Sequence, residues 1–508
     1  MDCVLAYDVG TSGTKAVLVT MDGRVLGRAF EAYPTYYPKP LWAEQDPDDW
    51  WRAMAATTGR VLNMGGARPG EVQGISFSTQ MVNVIPVDSG ARPLTRCISW
   101  LDGRAGEEAR HIMRRLGGPA IFAAVVGTAI TGKDLVAKYL WLKRNDADTY
   151  ARASAFVDAS GFIIHKATGR LVYEWGAASV TGLFNLKTKV WDTGLMRFLG
   201  CAPSKFPDLV PSCERVGRLT AEAAADLGLI QGIPVFAGSG DAQAGAVGAG
   251  AVTDGAGHLN LGTSGFVNII TSRRVTGKKG IATLQSADPS RLILISETET
   301  CGACLKWAAQ QLYGHTPGNE EYGQLDADVA ATAPGAGKLI FTPWMYGERS
   351  PIADECVRAS FINLGSDHTR AQMTRSIYEG VAYNLRWMLE TVSDLYGFRP
   401  DPLWVTGGGA RGRPWLQIIA DVTGRSLESV ANPQEASAVG AALIAMVGLG
   451  VYPSLEATKA AVKSETLVTP SGAWRPLYDQ LFSAFCSIYG SLRRLHHSLN
   501  RPDAESLG

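Results

Sequence analysis

Cysteine, net charge and long apolar runs are what this chain has little of. Eight cysteines in 508 residues lie scattered, which gives no disulfide framework and suits a reducing compartment. Lys plus Arg and Asp plus Glu are both 48, so the formal net charge is zero. No global field draws such a chain to nucleic acid or to an anionic membrane. The longest near-apolar stretches, AIFAAVVGTAI (120–130) and AALIAMVGLGVY (441–452), are too short and too rich in small residues to cross a bilayer. The start, MDCVLAYDVG, has an acid at position 2 and no basic stretch ahead of an apolar one, so no secretory signal is expected. No segment fits G-x-x-x-x-G-K-[ST], because PGAGKLI lacks both the first glycine and the hydroxyl after lysine; a dinucleotide fingerprint with its downstream ribose acid is also missing. A Walker-type ATPase and a nicotinamide dehydrogenase are both disfavoured. What remains is an ordinary globular balance, 46% hydrophobic and 19% charged, at a length that suits two or more domains of a cytoplasmic enzyme.

What is there, twice, is the turn GTSG, in AYDVGTSGTKAVLVTMDGRVLG (6–27) and in GHLNLGTSGFVNII (257–270). In the first copy CVLAYDV reads as a strand, KAVLVT as a second and RVLGRAF as a third, with turns between them. The second copy repeats the plan. Two glycines let successive N–H groups point into one concavity, and Thr and Ser add hydroxyl donors, so such a turn binds phosphate oxygens without a helix terminus. One copy is an ordinary hairpin turn; two copies about 250 residues apart favour duplication around a shared ligand. Between them, VFAGSGDAQAGAVGAGAVTDGAGH (235–258) reads as a strand, a loop and a small-residue helix that packs closely. A third cluster, PLWVTGGGARGRPWLQIIADVTG (402–424), runs from a strand through three glycines to a helix beginning near Pro414, an order familiar from nucleotide sites. From Arg370 to Tyr396, apolar residues Met373, Ile377, Val381, Leu385, Met388, Val392 and Leu395 recur every three or four positions, which predicts an amphipathic helix with one buried stripe.

A nucleotide gripped by two hairpins, with its base on a third glycine turn, is the arrangement of the actin, hexokinase and heat-shock chaperone superfamily. Within it the chain resembles the FGGY carbohydrate kinases, nearest in look to the xylulose kinases. YDVGTSGTKAVLV, LWAEQDPDDWW, ISWLDGRA, AKYLWL, GSGDAQAGAVGAG, LNLGTSG, FTPWMYGERSP and TGGGARGRPWLQIIADVTG carry the likeness over nearly the whole chain. The resemblance implies an α/β fold of two actin-like (ribonuclease H-like) ATPase domains with a hinge, 1–252 and 253–490, followed by a polar tail, 491–508. It implies MgATP-dependent phosphorylation of a hydroxyl on a small sugar or polyol such as a ketopentose, with Asp241 as general base. Asp8 is then expected to hold Mg²⁺ through water, with Thr11, Ser12 and Lys15 near the β- and γ-phosphates. Gly262, Thr263 and Ser264 are expected at the transferring phosphoryl group and Gly408, Gly409 and Ala410 at the adenosine. Gln80, Met81, Val82, Asp241 and Ala242 are expected at the sugar. The expected partners are a small sugar or polyol and a second copy in a homodimer, with neither nucleic acid nor membrane.

The chain departs from the xylulose-kinase pattern at two sugar-facing places. Val82 stands where that pattern has a histidine, and Ala242 where it has asparagine; losing such polar groups changes the preferred substrate. TGKDLVAK places Lys133 and Asp134 near the expected sugar pocket, although a solvated lysine is the commoner role. Cys301-Gly-Ala-Cys304 at a strand-to-helix junction admits a thiol–disulfide reading, because helix N-termini lower thiol pKa, but small residues there also suit a helix passing close to a nucleotide. Zinc lacks a second ligand pair of matching spacing, and His496 and His497 are expected to be solvated. Asp241 suits a helix N-cap as well as a base. The competing reading is a nucleotide-dependent binding or assembly protein of the same superfamily; the AEQDP and WLDGR segments and Asp241 favour the kinase.

Overall fold

The computed structural model describes residues 2–118, 130–314 and 319–500. All of the apolar stretch 120–130 except Ile130, together with 501–508 of the expected tail, lies outside the described residues.

In the first lobe β1 (Cys3–Val9), β2 (Gly13–Thr20) and β3 (Val25–Ala32) form an antiparallel meander. Helix α1 (Pro47–Gly65) follows, started by the Asp46 cap and Pro47 and stopped by Gly66 at φ +61°. Strand β4 (Val72–Thr79) pairs parallel to β1. After a long excursion, β5 (Arg215–Arg218) and β6 (Pro234–Phe236) extend the sheet, and the short β7 (Ser239–Gly240) pairs with β4. Helix α2 (Asp241–Gly248) leaves from there.

The second lobe repeats this plan. Strands β8 (Gly257–Leu261), β9 (Gly265–Thr271), β10 (Ile281–Gln285) and β11 (Leu292–Thr298) are antiparallel neighbours. Helices α3 (Gly302–Tyr313) and α4 (Arg370–Tyr396) precede β12 (Leu403–Thr406), which runs parallel to β8. Then come α5 (Arg413–Thr423), β13 (Leu427–Val430), α6 (Ala436–Gly448), β14 (Ser464–Val468) and α7 (Arg475–Asn500). The two sheets read β3-β2-β1-β4-β6-β5 and β11-β9-β8-β12-β13-β14, with β10 added outside β11. Position for position the pairings match, parallel for parallel, so the repeat of GTSG reflects a repeat of the sheet around it.

Every residue of β1 is buried, because both faces of the sheet are covered. Cys3, Leu5, Tyr7 and Val9 join α1 through Trp50, Met54 and Val61. Val4 and Ala6 face the other way and meet Leu443, Ile444 and Met446 of α6. Thus α6, which leaves the second sheet, covers the first. In exchange, Ala242 and Ala246 of α2 pack on Ile270, Ile293 and Trp404 of the second sheet. Where α2 and α6 cross, a Cβ on Gly248 would overlap the Ala436 carbonyl, and one on Gly440 the Ala244 carbonyl. Only glycine permits that approach.

Helix α4 spans the expected residues, but eighteen of its 27 are buried, including Arg375 and Glu379. One stripe becomes an all-round interior helix because the second sheet, α3, α5 and α7 surround it. The Arg375–Glu379 pair, 2.7 Å apart, is satisfied further by Tyr478 and by the carbonyls of Val329 and Thr332. Helix α7 passes through position 490 without a break, so residues 491–500 are helical rather than a free tail. Tyr478, Leu481, Phe485 and Ile488 pin that helix to the core, and His496, expected in solvent, is buried. Among the described residues no helix is long and apolar enough to cross a membrane.

Candidate active site

The first GTSG turn is tied down from behind. Gly10 N–H donates to Gly13 O (3.1 Å), Tyr33 Oη to Gly10 O (2.5 Å), and Gln45 Nε2 to Thr11 O (2.6 Å). Trp100 Nε1 donates to Thr11 Oγ1 (2.8 Å). With its carbonyls occupied, the turn presents the amides of Thr11 and Ser12, which have no acceptor among the described residues. Asp8 and Lys15 are cross-strand partners; Lys15 Nζ lies 3.6 Å from Asp8 Oδ2, and Ser78 Oγ donates to Asp8 Oδ1 (2.9 Å). The strand alternation therefore brings Lys15 to the acid instead of turning it away.

Asp241 opens α2 after Gly240, which is the N-cap; the Asp241 carboxylate accepts from the next amide, Ala242 N–H (2.8 Å). Burial, then the negative charges of Asp8 and Glu297, push this carboxyl up to about 7. The acid thus feels the charge of a carboxylate from each lobe, and it opens the helix that packs under the second sheet.

The second GTSG turn is also held from behind, here by a helix start. Cys301 and Ala303 N–H donate to Thr263 O (2.9 and 3.0 Å), and Gly302 N–H to Gly262 O (2.8 Å). The amides of Gly262, Thr263 and Ser264 donate to none of the described residues. Cys301 and Cys304 are buried free thiols, and burial pushes both pKa values up, that of Cys304 to about 12. A redox role, which needs a lowered pKa, is contradicted; the small residues serve the close approach to the turn. The glycine cluster abuts the same turn. Gly407, at φ +87°, has no room for a Cβ against Leu261 and Gly262, and Gly409 lies against Leu261 and the Trp415 ring. The amides of Gly408 and Gly409, at the start of a short 3-10 turn, have no acceptor among the described residues. Ala410 is buried within it and lines a cavity of about 560 Å³ with Arg411, Asn432 and Arg28.

The expected sugar-side residues divide. Gln80 Nε2 donates to Gln45 Oε1 (2.6 Å), and its own Oε1 is buried without a partner among the described residues. Met81 packs so tightly on Gly240 that a Cβ there would collide with its sulfur. Val82 sits at φ +58°, an outlier for a β-branched residue, with its carbonyl held by Lys138 Nζ (3.1 Å), which also donates to Ser99 O (2.7 Å). Burial pulls that lysine down to about 7. Ala242, in contrast, turns its side chain into the apolar layer under the second sheet, and its carbonyl accepts from Asn268 Nδ2 (3.2 Å). Asp134 folds back onto Thr131 N–H and Oγ1 (2.7 and 2.9 Å), while the Lys133 ammonium has no partner among the described residues.

Sequence reasoning missed Glu297, Glu299 and Arg349. The guanidinium reaches Glu297 at 2.6 Å and Glu299 at 2.5 Å. Behind it, buried Glu348 accepts from Thr298 Oγ1, the amides of Glu299 and Arg349, and Asn384 Nδ2, yet burial still pushes it up to about 8. The acids at alternate positions of SETET, at and just past the end of β11, were the available signal.

The family model for the N-terminal domain of the FGGY family of carbohydrate kinases matches residues 3–248, and that for its C-terminal domain matches residues 257–449. The xylulose kinase of Staphylococcus epidermidis is 30% identical over 498 residues, which cover 97% of this chain and 98% of its own. The gluconokinase of Bacillus subtilis is 28% identical over 491 residues, 96% of this chain and 95% of its own. The crystal structure of the xylulose kinase from Rhodospirillum rubrum aligns with a TM-score of 0.87 at 28% identity, covering 97% of this chain and 100% of that one. A non-kinase binding or assembly role is set aside by this agreement over both lobes. The chain belongs to the FGGY family of carbohydrate kinases and is a phosphotransferase built from two actin-like ATPase domains.

Proposed function

We propose that the protein transfers the γ-phosphoryl group of MgATP to a hydroxyl of a ketopentose such as xylulose, or of a related ketose or polyol, with Asp241 as the base. The observation that carries this is Asp241 at the start of α2, where burial and the charges of Asp8 and Glu297 push its carboxyl up to about 7. A base poised near neutrality both exists in its charged form and takes a proton effectively. The unpaired amides of Thr11 and Ser12 on one side, and of Gly262, Thr263 and Ser264 on the other, fit the oxygens of a triphosphate. Gly408, Gly409 and Ala410, in the cluster that abuts the second turn, are the residues proposed for the adenosine. Asp8, with Lys15 beside it, is the acid that would hold Mg²⁺ through water. When bound, Mg²⁺ neutralises charge on the phosphates.

The step then needs only alignment and proton removal. Asp241 accepts the hydroxyl proton as the oxygen approaches phosphorus, and the two turns hold the phosphoryl oxygens in line. Closure of the lobes excludes water, the competing acceptor. A sugar acid is the second reading. The unpartnered ammonium of Lys133 supports it, as does the similarity to a gluconokinase.

The test is sugar-dependent ADP release with MgATP across ketopentoses, ketohexoses, pentitols, glycerol and sugar acids, comparing wild type with Asp241→Asn. One class should stimulate turnover, and the substitution should cut it by about 10²–10⁴ while ATP binding persists. Equal sugar-dependent rates in the two proteins would remove Asp241 as the base.

A further inference from the structure

A cluster of three different donor types lies away from the cleft, at the end of α7. Asp354, Cys356 and His497 place a carboxylate oxygen, a thiol sulfur and an imidazole nitrogen all within 4.8 Å of one another. The arrangement is set by local structure on both sides. Asp354 Oδ1 accepts from Cys356 N–H (2.9 Å), which turns the two side chains to one side. Asn500 Nδ2 donates to Cys356 O (3.0 Å) and so fixes that turn against the helix carrying His497. His497 Nε2 lies 2.7 Å from Asp354 Oδ2.

We propose that these three residues form a site for one borderline transition-metal cation, Zn²⁺ in the first instance, that fastens the last helix to the strap leaving Glu348 and Arg349. Mixed oxygen, sulfur and nitrogen donors select Zn²⁺ over Mg²⁺. Ligand atoms around a tetrahedral Zn²⁺ stand about 3.3–3.8 Å apart, so Cys356 must close in slightly and His497 must open slightly. Three protein donors leave the fourth position to water. The present neighbours of Asp354 Oδ2 are His497, Tyr489 Oη at 3.1 Å and Arg493 Nε at 3.7 Å. Arg493, whose side chain is 59% exposed, leaves as the cation enters. The strap is short: Asp354 and Glu348 exchange backbone bonds of 2.8 and 2.9 Å. A cation here would therefore brace the same loop that carries Arg349 to Glu297.

The probe is Co²⁺, added to the chelator-treated full chain without nucleotide. One equivalent is expected to give a near-ultraviolet thiolate-to-cobalt charge-transfer band with tetrahedral visible bands, bleached by one equivalent of Zn²⁺. Cys356→Ser should abolish the charge-transfer band, and His497→Gln should weaken binding at least about ten-fold. Binding without a thiolate band, or a band that survives Cys356→Ser, overturns the proposal. Should either variant fail to fold, alkylation of the wild type gives the same answer. Zn²⁺ is expected to protect Cys356 while Cys213 and Cys486, the other half-buried thiols, react as before. Unprotected Cys356 overturns the proposal as well.

Discussion

At the scale of single residues, Asp241 is where competing effects are resolved. A carboxylate in the first turn of a helix is favoured by the helix dipole, but burial and the charges of Asp8 and Glu297 prevail and raise its pKa to about 7. Below that pH the folded protein holds the acid protonated and unable to accept a hydroxyl proton. We therefore expect kcat/KM to fall about ten-fold per pH unit on the acid side, measured as a pH–rate profile. The same shift bears on stability. A carboxyl raised from its unfolded value of 3.8 makes folding progressively less favourable as pH rises from 3.8 to about 7, with no further loss above that, because the charged form is held in a dry, negative place. Asp241→Asn should accordingly melt a few degrees above wild type at pH 8.5, by less at pH 5, and close to it at about pH 4, by scanning calorimetry. Asp241 was legible because GSGDAQAGAVGAG resembles the catalytic loop of the FGGY kinases. Val82 was legible only as an altered residue. That its backbone takes a left-handed conformation clamped by a buried lysine depends on Lys138, 56 positions later. Such strain, about 1–3 kcal/mol, has no local signature when the residue is not glycine.

At the scale of elements, both hairpins could be read directly, since alternating apolar residues and glycine turns fix their register. The segment Cys301–Cys304 could not. Its spacing suggests chemistry, whereas its backbone amides serve the second GTSG turn and its small residues admit that turn. A Cβ on Gly302 would stand 2.7 Å from Gly262 O, so Gly302→Ala must push the turn into the cleft. The expected result is a raised KM for ATP with sugar affinity unchanged, the latter read by isothermal titration calorimetry. Helix α7 offers a second lesson. Its apolar spacing, Tyr478, Leu481, Phe485 and Ile488, continues into a polar stretch that reads as a tail, yet His497 and Asn500 are held by Asp354 and Cys356 of a distant strap. Polar residues end an apolar pattern without ending the helix when their partners come from elsewhere in the chain.

At the scale of the whole molecule, the duplication was visible in the repeated turn, but the exchange of α2 and α6 was not, because two runs of alanine and glycine look alike whichever sheet they cover. The exchange has a thermodynamic signature. Each lobe completes the interior of the other, so neither should melt alone. Calorimetry is expected to show one unfolding transition rather than two, and Gly440→Val, which drives α6 off the Ala244 carbonyl, should lower that transition and kcat together. There is also a consequence for synthesis on the ribosome. The strands of the first sheet have all emerged by Gly240, but the helix that covers Val4, Ala6, Val17 and Val19 is complete only at Gly448. At about 5–20 residues per second, the nascent chain carries a bare apolar sheet for roughly 10–40 seconds. Translation stalled before Ala436 should leave a product that aggregates or is held by chaperones, however well the first half of the sequence encodes its own strands.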